Sequence, residues 1–363
     1  MKILLLGDAS NYHNTLGLGL KRLGHDVTVA SHGSRWMDTS RDINLYRHPG
    51  KAGGALLWAR LNTVLSGKLK GYDVVQIVNP IFVDLRPHRV REIFKKLKRY
   101  NGGVYLTALG TDTAYVEMAL AKDCPLEYTE FAIRGELTPF GQSERGRSLR
   151  EWLNDPLKSH AQFIYDNIDG AVTALYEYQL AMERVLPPDR VVYGGIPIDT
   201  GSISEENARA RESERLKVLA PFHAGRELEK GTHILREIAE SVGGLDIEPV
   251  TGLRFDEFQK RMKDCDVVLD QYYSYTPATT ALMAMAMGKT VVTGAERAFE
   301  EFIGESVPAI NVDPFNHETL REFLRQANDP EQLRERGDAA RDFVRRHNDA
   351  ETVAQRFLTL WER

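Results

Sequence analysis

The sequence predicts an α/β protein built as two doubly wound, Rossmann-like domains. Short β-branched runs alternate with longer segments of helical periodicity, which is the mark of parallel sheets with crossover helices. That alternation begins afresh after Tyr193-Gly194-Gly195-Ile196-Pro197-Ile198-Asp199. The 363 residues are enough for about two domains, each burying its own core.

Each element follows from local pattern. Residues 2–6 read as a buried strand, because Ile3, Leu4, Leu5 and Leu6 are all apolar. Residues 16–23 are helical, and Gly24-His25-Asp26 turns the chain into a strand at 27–30. Strands are expected at 73–78, 104–108 and 170–174, completing one doubly wound domain. The second has strands near 217–220, 246–250, 266–269 and 290–293. Segment 122–160 breaks the rhythm with Pro125, Pro139 and many charges, and reads as an irregular helical insertion over one face. The division drawn from this is 1–194 and 195–345.

Composition narrows the class. A charged share of 27% beside 42% hydrophobic residues is that of a soluble globular chain. No apolar stretch approaches the roughly 18 residues of a membrane span. Met1 leads almost directly into a strand, so neither signal peptide nor anchor is expected. Cys124 and Cys265 lie far apart without C-x-x-C spacing, against a zinc site or disulfide scaffold, and a cytoplasmic location is expected. Gly17 and Gly19 fall inside the first helix with only Gly24 beyond, so the dinucleotide fingerprint, and with it a dehydrogenase, is unsupported.

Charge is unevenly spread. Residues 1–100 hold 17 Lys and Arg against 7 Asp and Glu, a net +10 that leaves −15 for the rest of a chain of net −5. The excess concentrates over 86–99, where Ile93, Phe94 and Leu97 form an apolar stripe on a helix opened by Pro87. That pattern fits either a peripheral membrane-surface helix, possible at an inner membrane face, or a solvated helix of an ordinary domain. Nucleic-acid binding is not expected, since no binding motif or aromatic interleaving accompanies the run.

Two stretches point to phosphate chemistry. Residues 225–231, Gly-Arg-Glu-Leu-Glu-Lys-Gly, follow an apolar run, so a strand end delivers Arg226 and Lys230 between two glycines. A guanidinium fork, a compact ammonium and a backbone open to close approach suit a diphosphate. Farther on, Thr276 reads as an N-cap and Pro277 as the first residue of a helix. The amides of Ala278, Thr279 and Thr280, with the two threonine hydroxyls, would then form an anion site.

In the first domain the loop after strand one carries Asn11, Tyr12, His13 and Asn14. Asp112 follows the strand at 104–108 within Gly110-Thr111-Asp112, where it serves either as base or hydrogen-bond acceptor for a hydroxyl, or as the cap of the next turn. Glu296, after Thr293-Gly294, and His223, just before Arg226, are further candidates.

Taken in order, these motifs resemble the GT-B glycosyltransferases of the retaining group called family 4. The opening MKILLLGDAS with LKRLGHDVTVAS looks like that family's first strand, helix and second strand. YGGIPIDT sits at its interdomain hinge. HAGRELEKGTHIL is similar to its G-R-x-x-x-x-K-G stretch. DCDVVLDQYYSYTPATTALMAMAMGKTVVTG is similar to its donor-site strand, loop and helix, and the residues from 329 onward look like its closing helices, which implies that a last helix, 346–363, packs back on the first domain.

The resemblance implies two Rossmann-like domains facing across a cleft, with acceptor on the first and nucleotide sugar on the second. It implies a glycan or lipid-linked acceptor and catalysis by Arg226, Lys230 and Asp112. Donor contacts are implied at His223, Gly225, Tyr275, Thr276, Ala278, Thr279, Thr280 and Glu296, and acceptor-side contacts at Asn11, His13 and Asn14. The family's two donor-site glutamates fall on Tyr275 and Met283, neither a carboxylate. No cofactor or metal is implied, because no His/Cys cluster appears and the cations stabilise the leaving diphosphate.

Overall fold

Four consecutive residues of β1 (Lys2–Leu6), Ile3 to Leu6, are completely buried, and a strand covered on both faces belongs in the interior of a parallel sheet. The computed structural model describes residues 1–33, 39–63, 65–203, 215–222, 224–327 and 329–363. After β1 come α1 (Tyr12–Arg22), β2 (Asp26–Ser31), β3 (Ile43–Asn44), α2 (Gly50–Asn62), β4 (Val74–Val78), α3 (Pro87–Tyr100), β5 (Gly103–Ala108) and α4 (Thr113–Leu120). A small antiparallel hairpin, β6 (Ala132–Ile133) and β7 (Glu136–Leu137), is followed by α5 (Pro139–Gln142) and α6 (Glu144–Leu149). Then come α7 (Leu157–Asn167), β8 (Gly170–Thr173), α8 (Tyr176–Met182) and β9 (Val191–Tyr193).

The second half runs β10 (Lys217–Pro221), α9 (Glu227–Lys230), α10 (Thr232–Val242), β11 (Asp246–Val250), α11 (Phe255–Asp264), β12 (Val267–Leu269) and α12 (Thr279–Ala286). It continues with β13 (Thr290–Thr293), α13 (Arg297–Ile303), β14 (Ile310–Asn311), α14 (Glu318–Gln326), α15 (Pro330–His347) and α16 (Ala350–Trp361).

The chain divides into two compact units. One comprises Met1–Asp123, Arg147–Pro197 and Ala350–Arg363, the other Cys124–Gly146 and Ile198–Asp349. Two features depart from a simple cut near 194. The hairpin segment, read from sequence as part of an insertion on the first half, belongs to the second unit. The chain also changes unit at 197/198 and 349/350.

In the first unit the parallel sheet runs β3-β2-β1-β4-β5-β8-β9. Order reverses beside β1, which pairs with β2 on one side and β4 on the other. In the second, the order β11-β10-β12-β13-β14 reverses beside β10. Its core gathers Val218, Val267, Leu269 and Val292 from the strands and Leu216 just before β10, with Leu235, Leu320 and Leu324 from the helices. In such sheets ligands bind outside the carboxyl ends of the strands at the switch point.

The first unit is closed by its last helix. A Cβ on Gly19 would lie 2.1 Å from the Ala350 carbonyl oxygen, so the helical glycine exists to let α1 meet the start of α16. Farther along α16, the Trp361 indole donates to Gln76 Oε1 (3.0 Å), and Gln76 Nε2 donates to Thr107 Oγ1 (3.0 Å). Thr107 pairs with His13 Nε2 (2.9 Å), and His13 Nδ1 with the Gly7 carbonyl (2.8 Å). Because Gly7 offers only an acceptor, Nδ1 carries the proton, Nε2 accepts, and the chain is satisfied throughout.

The helix at 87–100 favours one of its two readings. Val90, Ile93, Phe94 and Leu97 of α3 are buried in the first unit, leaving no apolar stripe to enter a membrane. Several of its cations are also occupied: Lys98 pairs with Asp169, Lys95 with Glu92, and Arg91 stacks on Phe163. The pattern therefore reflects a domain helix with a solvated face. No helix among the described residues is long and apolar enough to cross a membrane.

Trp361→Phe should leave Gln76 Oε1 unpaired in the interior and cost about 1–3 kcal/mol. Urea unfolding followed by circular dichroism reads this as a lower midpoint, and an unchanged midpoint would show that the buried chain contributes nothing net.

Candidate functional site

At the switch point of the first unit the loop after β1 faces the loop after β4. Both are wound tightly: Ser10 (φ 52°), Asn11 (65°) and Asn79 (59°) hold left-handed conformations that few non-glycine residues adopt, a concentration typical of functional loops. Gly7 has φ +83°, and a Cβ there would come within 2.5 Å of Val78 Cγ1 and 2.9 Å of the Phe82 carbonyl. Only glycine lets the two loops close up. Between them lies a cavity of about 460 Å³ lined by Gly7, Asp8, Ala9, Tyr46, Asn79 and Phe82 among others.

Asp8 is the functional group of this cavity that sequence reasoning missed. It is 8% exposed, with Oδ1 accepting the His13 amide (2.9 Å) and Oδ2 buried without a hydrogen-bond partner. Burial pushes its carboxyl up to about 6, against the lowering effect of the His13 and Ala9 amides. Its only sequence signal was position, directly after Gly7 at the end of a wholly apolar strand.

The residues expected on the acceptor side have internal roles. His13 is completely buried with both ring nitrogens engaged, and burial lowers its pKa to about 4. It supports the loop and has no nitrogen left for a ligand. Asn11 binds Thr15 Oγ1 through Nδ2 (3.2 Å) and accepts from Asn14 Nδ2 (2.9 Å), and Asn14 Oδ1 accepts from Ser40 (2.9 Å). These bonds hold the start of α1.

Asp112 is likewise corrected. Its Oδ1 accepts the Tyr115 amide (3.0 Å) as the N-cap of α4, and the carboxylate is 4% exposed, beside the Ala114 amide and the Tyr165 hydroxyl. The cap, rather than a base open to substrate, is what the strand end produces.

The buried groups act oppositely on pH stability. Neutral His13 contributes fully above about 6.5, and up to about 3 kcal/mol is lost as pH falls toward 4. Asp8 and Asp112, each raised to about 6 chiefly by burial, work the other way: their contribution is complete below about 3.8 and falls as pH rises through 6.

In the second unit the switch-point loops follow β10 and β12. Gly225 (φ +82°) turns the chain into Arg226, the N-cap residue of α9. Arg226 Nε and Nη2 both meet the Glu229 carboxylate, and Arg145 of the hairpin segment donates from Nε to the same Oε2 as Arg226 Nε, at 2.6 Å. Glu229 is 11% exposed; burial pushes its pKa up, but the two guanidinium groups outweigh this and leave it below the usual range. Sequence alone suggested two cations ready for an anion, yet Arg226 already carries one.

Lys230 lies near the buried carboxylate of Asp270 at the end of β12, and the Tyr272 amide donates to the Lys230 carbonyl (2.9 Å). Asp270 is 4% exposed, and its Oδ2 has no hydrogen-bond partner among the described residues. Burial raises its pKa, offset in part by Lys230, by the Gln271 side chain, by the amide of Ala281 in the first turn of α12 and by the Thr293 side chain. The loop thus delivers a lysine and a carboxylate to a helix amino terminus.

That helix begins later than expected. Its N-cap is Ala278, and Thr276 is buried, with Ser274 Oγ donating to its carbonyl (2.6 Å) and accepting from its amide (3.3 Å). Pro277 disfavours helical backbone at Thr276, and the serine turn fixes it outside the helix. Ala278, Thr279 and Thr280 remain half-buried, and among the described residues their amides donate to nothing. These three amides, at the positive end of the helix, with Lys230 and Asp270 close behind, can receive an anion.

Tyr275 and Glu296 are drawn together by the hairpin segment. Tyr275 accepts the Glu127 amide (2.9 Å) and stacks on Tyr128, with ring centroids 4.7 Å apart. Tyr128 donates to Glu296 Oε1 (2.7 Å), which also accepts from Asn311 (3.1 Å). Tyr128 and Arg145 are thus neighbours of the site that no local pattern marks. Met283 is buried in α12. The Asp264-Cys265-Asp266 run sits at the amino end of β12, where Asp266 accepts the Lys217 amide (2.8 Å), remote from the carboxyl-end loops. His223 lies outside the described residues.

No protein-family profile matches the chain, and no curated protein does. Solved structures match over its full length. Sucrose-phosphate synthase from Thermosynechococcus elongatus superposes with a TM-score of 0.62 at 12% identity, covering 100% of this chain and 98% of that one. The catalytic domain of starch synthase IV from Arabidopsis thaliana, bound to ADP and acarbose, gives 0.61 at 10%, covering 100% and 99%. Anabaena HepE in complex with UDP-glucose gives 0.57 at 14%, covering 100% and 99%. The fold is GT-B.

Asp8→Asn keeps the shape and the acceptor for the His13 amide but removes the buried charge. The variant should unfold about 1–3 kcal/mol less readily at pH 7.5, with the gain gone near pH 3.5. Thermal denaturation at both pH values checks this; equal midpoints at pH 7.5 would mean that Asp8 is solvated.

Proposed function

We propose that this protein is a glycosyltransferase that moves a sugar from a nucleoside diphosphate donor to a glycan or lipid-linked glycan acceptor, with retention of configuration. The observation that carries the reading is the mouth of α12, where the unengaged amides of 278–280 stand beside Lys230 and Asp270 at the switch point of the second sheet. A diphosphate is the anion such a mouth fits, since it spreads charge over several oxygens that each accept a hydrogen bond. Structures of the same fold bind UDP-glucose, ADP with acarbose, and UDP, which supports a nucleotide sugar as donor.

In this reading the chain works by charge stabilisation. Lys230 and the amides take up negative charge as the sugar–phosphate bond breaks, and Thr279 and Thr280 hydroxyls add donors. Arg226 joins when the diphosphate competes with Glu229 for its guanidinium. Asp270, buried with Oδ2 unpartnered, orients Lys230 and accepts from a donor hydroxyl. Gly225 keeps the approach open. Tyr275 and Glu296 border the donor sugar through their bonds to the hairpin segment.

A second reading is a non-catalytic nucleotide-binding subunit. It is favoured by Tyr275 and Met283, both buried, at the positions where the resembling family places donor carboxylates. Donor turnover separates the two.

Lys230→Ala should lower kcat/KM by about 2–4 kcal/mol in transition-state terms while the fold survives, and Arg226→Ala should act in the same direction. The check is release of nucleoside diphosphate from a panel of UDP, GDP and ADP sugars with each variant. Equal rates in wild type and Lys230→Ala would sink the assignment; binding without turnover in wild type would favour the subunit.

A further inference from the structure

The first unit holds a second cavity beside the one at Asp8, of about 440 Å³, lined by Arg47, Lys51, Gly54, Asp84, Leu85, Arg86, His88 and Arg89. The two share Arg47 and Asp84 as a common wall. Four permanent cations against one carboxylate leave it at about +3.

Its cations fall into two sets. Arg47 and Arg89 are held in place: Arg47 donates to Asp84 (2.9 Å) and to the Gly50 carbonyl (3.2 Å), while Arg89 donates to the Gly54 carbonyl (3.2 Å) and lies 5.5 Å from the Trp58 ring. Arg47 Nε is buried without a partner. Lys51 and Arg86 are exposed and have no partner among the described residues. They also sit at the amino ends of α2 and α3, neither of which has a side-chain cap. The two unengaged arms and the two uncapped helix ends serve no internal purpose that the fold displays. An anion would satisfy all of them.

We infer that the acceptor carries a phosphate group, which Lys51, Arg86, Arg89 and Arg47 receive while its sugar hydroxyls occupy the adjoining cavity at Asp8. This rests on the glycosyltransferase reading and specifies the acceptor. A phosphate fits better than a carboxylate because a single negative charge would leave most of the +3 uncompensated. Asp8 complements it at the other end: Oδ2 lacks a partner, and a sugar hydroxyl supplies the missing donor. A phosphate borne by a lipid and one borne by a soluble glycan present the same group.

The test is titration of the full chain with glucose 1-phosphate, inorganic phosphate and methyl glucoside, and sedimentation with phosphatidylcholine vesicles with and without phosphatidic acid. Each is repeated with Lys51→Ala/Arg86→Ala, and UDP binding is measured in parallel. Wild type should bind at least one phosphate-bearing probe more tightly than methyl glucoside. The double variant should weaken that binding about tenfold or more, and UDP binding sensitive to Lys230→Ala should stay unchanged. Loss of vesicle binding in the variant assigns the phosphate to a lipid; loss confined to glucose 1-phosphate assigns it to a glycan. Equal binding of phosphate probes by wild type and variant, or no preference of wild type for them, overturns the inference. Absence of UDP binding with the phosphate preference intact would instead remove the donor reading and leave this site standing.

Discussion

The first unit depends on one buried line of hydrogen bonds, from the Trp361 indole through Gln76 and Thr107 to His13 and the Gly7 carbonyl. It crosses the last helix, the two central strands and the first helix, and it ends on the loop that presents Asp8. Each member is buried, so each must be satisfied, and the direction of donation is fixed from end to end. The position of the loop after β1 is thereby tied to the last turn of the chain. The left-handed residues at 10, 11 and 79 persist because this frame holds them.

The second unit solves the same problem with charge. Its switch point presents a helix amino terminus, and instead of capping it with a serine or threonine side chain the chain sets Asp270 behind it and Lys230 beside it. A carboxylate that is buried and incompletely paired is costly, and such cost is usually retained where a ligand recovers it. Glu229, clamped between Arg226 and Arg145, has a different balance, because its two partners more than offset its burial. Both units therefore keep one under-satisfied aspartate at the carboxyl edge of the sheet, Asp8 after the first strand of one and Asp270 after the second strand pairing with β10 in the other.

The strands were legible because runs such as Ile3 to Leu6 and Val267 to Leu269 admit no other placement. So were the turn at Gly225 and the presence of a helix after 276. What sequence could not supply was competition between neighbours. Thr276 has the right chemistry for a cap, but Ser274 captures it first. Asp112 and His13 have catalytic chemistry, yet one is used as a cap and the other as a link in a buried chain. Arg145 and Tyr128 act on residues more than 80 positions away, and only packing of 124–146 on the second unit reveals them. The basic helix at 87–100 stayed open to two readings for a related reason: its amphipathicity is as well explained by a domain core as by a membrane.

The central claim is that a nucleoside diphosphate binds at the mouth of α12. Hydrogen exchange of the whole chain, followed by mass spectrometry with and without UDP, GDP or ADP, addresses it directly. The account predicts slower exchange in peptides covering 276–282 with one of these nucleotides and no such slowing in Lys230→Ala. Unchanged exchange there with every nucleotide, in a protein that binds one of them by calorimetry, would place the diphosphate elsewhere and contradict the account.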